Sequence, residues 1–188
     1  YQHMKKYIYK FIFFHCMGWK IKGFIDPKIL KSVLMVLPHT SWHDFFVGFF
    51  TRGILEVEID WIGKKELFKF PMKYYFKWMG GAPIDRTGNL NKVDAIVEIF
   101  KSKKIFRLGI SPEGTRKKVS ELKTGFYYIA HKAQVPIIPV AFNYRNKVVD
   151  IANPFYTTGN IADDLAFLMV NFKDVVGKIP ENSFEVNL

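Results

Sequence analysis

A single α/β domain with a mixed, largely parallel central sheet flanked by helices is the fold class the sequence predicts, on three observations. Short aliphatic runs alternate along the chain with stretches of helical spacing, the pattern of strand and crossover helix. No repeat, low-complexity segment or Gly/Ser-rich linker divides residues 1–188, so the chain reads as one unit. At 188 residues it is also long enough to bury roughly 70% of its unfolded surface in one core.

Taken in order, residues 1–30 mix Lys5, Lys6 and Lys10 with Tyr7, Ile8, Tyr9, Phe11, Ile12, Phe13 and Phe14, and read as an interfacial, membrane-associating segment. No small-residue cleavage site follows, so the segment is not read as a cleavable signal. Tyr1–Met4 carry no weight in this reading. Val33 to Leu37 is an apolar run stopped by Pro38 and reads as a buried strand. Ser41 can cap a helix running from Trp42 to about Thr51, with Asp44 in its first turn. From Val57 a period of two (Val57, Ile59, Trp61 against Glu56, Glu58, Asp60) predicts a half-solvated strand.

Lys64 to Met79 is helix-like but broken by Pro71. Its lysines (Lys64, Lys65, Lys69, Lys73, Lys77) are interleaved with Phe68, Phe70, Tyr74, Tyr75, Phe76 and Trp78, which suits a second membrane-contacting element. A helical stripe follows at Val93, Ile96, Val97 and Phe100, then a strand over Ile105 to Ile110 and a helix over Gly125 to Ala133. Ile137 to Phe142 reads as a strand, Arg145-Asn146 as a turn into a strand at Val148 to Ile151, and Asp163 to Val176 as a last helix.

Composition narrows the function classes without choosing one. Hydrophobic residues make up 49% and aromatics 17%, which argues against disorder, yet a Lys or Arg interrupts every apolar run before it reaches spanning length. A net charge of +11 implies an anionic partner, and nucleic acid, anionic lipid, coenzyme A and an acidic carrier protein satisfy it equally. Cys16, the single cysteine, excludes an internal disulfide and reads as a small hydrophobe.

Four blocks carry chemistry. His39 and Asp44 are separated by four residues at a strand-to-helix junction, where ligands of α/β sheets bind. A carboxylate that fixes one imidazole nitrogen leaves the other free to take a hydroxyl proton. On a regular helix the two side chains would lie about 140° apart, so the pair works only if His39 precedes the helix. A chance pair, with Asp44 only capping, is the alternative. Ser111-Pro112-Glu113-Gly114-Thr115-Arg116 follows a strand and presents a carboxylate, a hydroxyl and a guanidinium suited to a phosphate, or forms a solvated turn. Gly80 to Arg86 is a glycine turn and short strand ending in Arg86, and Val135 to Val140 is an apolar strand with two prolines that suits a sheet edge or a tunnel wall.

In this order the four blocks resemble the glycerolipid acyltransferase superfamily (lysophospholipid or 1-acylglycerol-3-phosphate acyltransferases), and the short chain with its His-Thr-Ser-x-x-Asp block resembles a compact bacterial subgroup. The resemblance covers Val33 to about Phe142. It implies a glycerol-3-phosphate acyltransferase-like fold with residues 33–142 as the motif core. It implies His39 as general base oriented by Asp44, and acceptor binding by Arg86, Glu113, Gly114, Thr115 and Arg116. The implied reaction moves a fatty acyl group from acyl-CoA or acyl-carrier protein, as donor substrate, onto a lysophospholipid-like membrane acceptor, with no cofactor and no nucleic acid. The implied location is peripheral, on the cytoplasmic face of the bacterial inner membrane. Pro38, Pro83 and Ser111 depart from residues common in the family.

Two further readings fit parts of the sequence. His39 and His43 with Asp44 could approach metal-ligand spacing, but no third ligand cluster appears and no metal is expected. A non-catalytic basic module binding anionic lipid or nucleic acid accounts for the charge but gives no reason for the His-x4-Asp and Pro-Glu-Gly-Thr-Arg pairing. The absence of a Gly-x-Ser-x-Gly elbow argues against a serine esterase.

Overall fold

A computed structural model describes residues 2–64, 74, 80–84 and 92–186. Among the described residues seven strands form one sheet in the order β1-β7-β6-β2-β5-β3-β4, with β1 at Lys20–Lys22, β2 at Lys31–Leu37, β3 at Asp60–Lys64, β4 at Gly81–Ile84, β5 at Phe106–Ile110, β6 at Ile137–Asn143 and β7 at Val148–Ile151. Every pairing is parallel except β6 with β7, which a four-residue turn joins as a hairpin. The mixed, largely parallel sheet is therefore as the sequence predicts.

Strand β2 sits at the centre between β6 and β5, and its residues are apolar on both faces for that reason. Val33, Met35 and Leu37 enter one core with Phe106 and Leu108 of β5 and with helices α3 (Lys92–Ser102), α4 (Gly125–Ala133) and α5 (Ile161–Met169). Leu34 enters a second core on the opposite face, with Val47 and Ile54 of α2 (His43–Leu55) and with Phe13 and Trp19. Helix α1 (Gln2–Lys10) and a π-helical turn over Phe11–Cys16 bring Tyr9 onto Phe49, Phe50 and Gly53 of α2.

Several boundaries differ from expectation. Helix α2 runs on to Leu55 and closes with Glu56 in the left-handed region (φ 55°), its N–H bonded to the Arg52 carbonyl. The strand expected from Val57 therefore starts only at Asp60. The last helix stops at Met169 and tightens into a 3₁₀ turn at Val170–Phe172, while its start is capped by Asn160, whose side chain accepts from the Asp163 N–H. Strand β1 is missed by sequence reasoning because Lys20-Ile21-Lys22 contains one apolar residue. Strand β6 is interior, not an edge, and it accommodates Pro139 where its neighbour changes from Phe155 to β7, so no ladder donor is lost within the hairpin. The Lys64 to Met79 element lies outside the described residues apart from Lys64 and Tyr74.

Candidate functional site

Strand β2 ends at Leu37, and Pro38, joined to it by a cis peptide bond, turns the chain so that His39, Thr40 and Ser41 lie between the strand and α2. His39 thus precedes the helix, as the geometry of the pair requires. Its Nδ1 lies 3.1 Å from Asp44 Oδ2, with His39 about a third exposed and Asp44 3% exposed. The same Oδ2 accepts the backbone N–H groups of Thr40 and Ser41, each at 2.9 Å. Asp44 therefore shapes the loop as well as meeting the imidazole. Trp42, at the capping position of α2, makes no side-chain cap bond, and it is the Ser41 hydroxyl that accepts the backbone N–H of His43, the first helical residue, at 3.3 Å, while lying 2.9 Å from His43 Nδ1.

The other oxygen of Asp44 accepts from the Tyr144 hydroxyl at 2.7 Å. Burial first, then this bond to a carboxylate, pushes the Tyr144 phenol far above its ordinary range, so it remains a donor. Sequence reasoning missed Tyr144, which reads only as the residue that leaves a strand for a turn.

The loop after β5 faces this one. Glu113 is buried, and its Oε2 accepts the His39 backbone N–H at 2.5 Å and the Ser111 hydroxyl at 3.2 Å. Its Oε1 is buried without a partner among the described residues. Burial pushes this carboxyl above the ordinary glutamate range, against the pull of those two hydrogen bonds. Gly114 takes a left-handed φ of 64°, which swings the chain outward, and Thr115 and Arg116 are exposed beyond it. The loop thus points Glu113 inward and Thr115 and Arg116 outward. Arg86 lies outside the described residues.

Sequence reasoning also missed the carboxyl-terminal segment. The Ile179 N–H donates to the Thr40 hydroxyl at 3.1 Å, and the Gly177 N–H donates to Ser183 at 2.9 Å. At Gly177 a Cβ would stand 2.6 Å from Thr40 Oγ1, so only glycine lets this segment lie so close to the His39 loop.

From His39 and Asp44 a cavity of about 290 Å³ runs between α2 and the sheet. Leu34, Val36, Phe45, Phe49, Val140 and Phe142 give it an apolar wall, and Gly48 and Gly109 line it without side chains. Val140 belongs to the Val135 to Val140 block, which fills the tunnel-wall role foreseen for it. The arrangement sets an oriented imidazole at the mouth of a space suited to an aliphatic chain. Among the described residues no cluster of three or more His, Cys, Asp or Glu is placed to hold a metal ion.

Comparison with known proteins extends this picture. The family model described as Acyltransferase matches residues 25–143. The chain is 38% identical over 131 residues to a 1-acyl-sn-glycerol-3-phosphate acyltransferase of Salmonella typhimurium, covering 65% of this chain and 52% of that protein. A 1-acyl-sn-glycerol-3-phosphate acyltransferase of Escherichia coli is 33% identical over 133 residues, covering 67% of this chain and 53% of the relative. The crystal structure of the 1-acyl-sn-glycerophosphate (LPA) acyltransferase, PlsC, from Thermotoga maritima shares the fold at a TM-score of 0.56 and 17% identity, covering 90% of this chain and 76% of that one. The chain spans about half the length of the curated relatives it matches.

Proposed function

The chain belongs to the Acyltransferase family, and from that premise we propose that it moves a fatty acyl group from a thioester, acyl-CoA or acyl-carrier protein, to a hydroxyl of a lysophospholipid-like acceptor at a membrane surface. The observation that carries this reading is the His39–Asp44 contact of 3.1 Å at the mouth of the apolar cavity. The relatives' names point to an acceptor of the 1-acylglycerol-3-phosphate kind.

In the proposed mechanism His39 donates Nδ1–H to Asp44, which leaves Nε2 to take the acceptor hydroxyl's proton. The acceptor oxygen attacks the thioester carbonyl, and a tetrahedral intermediate forms. It collapses by breaking the carbon–sulfur bond, and the leaving thiolate takes the proton from the imidazolium, so the base is restored and an ester and a free thiol are released. The cavity beside His39 takes the acyl chain. Gly114, Thr115 and Arg116 meet the acceptor's phosphate, with Arg86 assigned to the same task on its sequence block alone. Glu113, turned inward, serves them by tying their loop to His39.

The membrane reading rests on exposed apolar side chains. On α1 and the turn after it, Met4, Tyr7, Ile8 and Phe11 face outward, and Trp42 and Phe46 do so beside His39. No helix among the described residues is long and apolar enough to cross a membrane, which suits docking on its surface.

The test is incubation of the purified protein with labelled acyl-CoA or acyl-carrier protein and lysophosphatidic acid, with the product identified by mass spectrometry. Formation of phosphatidic acid that stops in His39→Ala is the expected result. Turnover by His39→Ala at the wild-type rate would remove His39 from the mechanism, and binding without turnover by the wild type would favour the non-catalytic module.

A further inference from the structure

Asp44 is held at both carboxylate oxygens, and the two sets of bonds differ in origin. Oδ2 is bonded within its own loop, to Thr40, Ser41 and His39. Oδ1 is bonded to Tyr144, 100 residues away in the turn after β6. Tyr144 is itself fixed from three sides. Its backbone N–H donates to the Val176 carbonyl at 2.8 Å, its ring meets Trp19 edge-on at 4.7 Å between centroids, and its hydroxyl ends on Asp44.

We propose that Tyr144 is a positioning residue for the reaction, acting through Asp44 on His39. The bonds at Oδ2 pin one oxygen and by themselves leave the carboxylate plane free to tilt about it. The Tyr144 hydroxyl removes that freedom by holding Oδ1 on the opposite side. It also takes up part of the carboxylate's negative charge. The other titratable groups near the pair are Glu113, which takes the His39 amide, and His43, which bonds Ser41; Arg52 and Asp60 line the same cavity. This inference rests on the catalytic reading of His39 and extends it to a residue outside the four sequence blocks.

The experiment compares Tyr144→Phe, which loses only the hydroxyl, with Tyr144→Leu, which also loses the ring contact to Trp19. Rates are measured with acyl-CoA and lysophosphatidic acid across pH, together with melting temperatures. In Tyr144→Phe, kcat should fall about tenfold with both KM values within twofold, the loss of one hydrogen bond to a charged group. The acidic limb of the pH–rate profile should move to higher pH, because the carboxylate then faces the site with its full charge. Tyr144→Leu should show the same displacement of the limb with a lower melting temperature. An unchanged kcat and limb in Tyr144→Phe, or a displacement that follows melting temperature across the two variants, overturns the proposal. His39→Ala in parallel separates the cases, since wild-type turnover there refutes the catalytic reading itself, whereas its inactivity beside an unaffected Tyr144→Phe refutes Tyr144 alone.

Discussion

The amide N–H of His39 donates to Glu113 across 74 positions of sequence at 2.5 Å, so the loop that carries His39 and the loop that carries Arg116 are one mechanical unit. Replacing Glu113 by Ala leaves that N–H without its acceptor in a buried place. The cost should be about 1–3 kcal/mol of stability, with a fall in kcat because His39 loses its seat. Glu113→Gln keeps an acceptor of the same shape and should cost less than half as much. Urea unfolding and steady-state rates of the two variants check this.

The buried Glu113 carboxyl also predicts a pH dependence of stability. Its folded value lies above the ordinary 4.5, so the folded state binds this proton more tightly than the unfolded chain does. The stabilisation from the protonated form is complete below 4.5 and is lost as pH rises through the raised folded value. Glu113→Gln lacks this slope. The stability of the wild type relative to Glu113→Gln should therefore be greatest in acid and shrink toward neutrality, as unfolding curves at several pH values would show.

The Cβ of an alanine at position 177 would stand 2.6 Å from Thr40 Oγ1, 2.7 Å from Thr40 Cγ2 and 3.1 Å from Pro38. Gly177→Ala should push the carboxyl-terminal segment off the His39 loop at a cost of roughly 1–3 kcal/mol. Activity should fall with it, because Thr40 also donates its N–H to Asp44. Melting temperature and kcat together report the effect.

How much of this was legible in sequence depends on the range of the interaction. Strand β2, the turn at Pro38 and the placing of His39 before α2 were readable because each is decided within a few residues by apolar runs, proline and local geometry. The strand expected at Val57 starts only at Asp60 because α2 runs on to Leu55 before the left-handed Glu56 closes it, which an alternating pattern does not reveal. The sequence block does not tell which way Glu113 points; its side chain turns inward to His39, a choice set by a partner 74 positions away. Tyr144 and Gly177 left no local signal at all, since what defines them is contact with Asp44 and Thr40.

Gly109 of β5 faces the cavity, and a Cβ there would meet nothing nearer than Ile59 at 3.6 Å, so a side chain can enter without displacing backbone. Gly109→Leu should therefore fill part of the 290 Å³ and shorten the acyl chain the enzyme accepts. Activity with long-chain acyl-CoA should drop more than tenfold while a short-chain donor is used nearly as well, a difference of about 1.4 kcal/mol or more in transition-state binding. Equal losses for both donors would mean that the chain does not lie in this cavity.

Residues 4–14 divide by face into a packed side and an exposed side. Phe13 is fully buried and stacks on Trp19, and Tyr9 packs on Phe49 and Phe50, so deleting this segment would damage the core beside α2 along with any anchor. Tyr7 and Phe11, by contrast, are 71% and 62% exposed, and the ring contact of Phe11 is a local one with His15. Inserting two such rings into the interface is worth roughly 3 kcal/mol or more, and each neighbouring lysine adds about 1 kcal/mol at an anionic surface. The double change Tyr7→Glu, Phe11→Glu removes the insertion and reverses charge at those two points. Binding to vesicles containing anionic lipid should weaken at least a hundredfold in sedimentation, with melting temperature preserved. Wild-type binding should weaken as salt is raised, because part of it is electrostatic. Turnover of a soluble short-chain acceptor should survive in the double variant, since His39, Asp44 and Tyr144 are untouched, while turnover on vesicles falls. Unchanged vesicle binding would show that this face is not the one that meets the membrane.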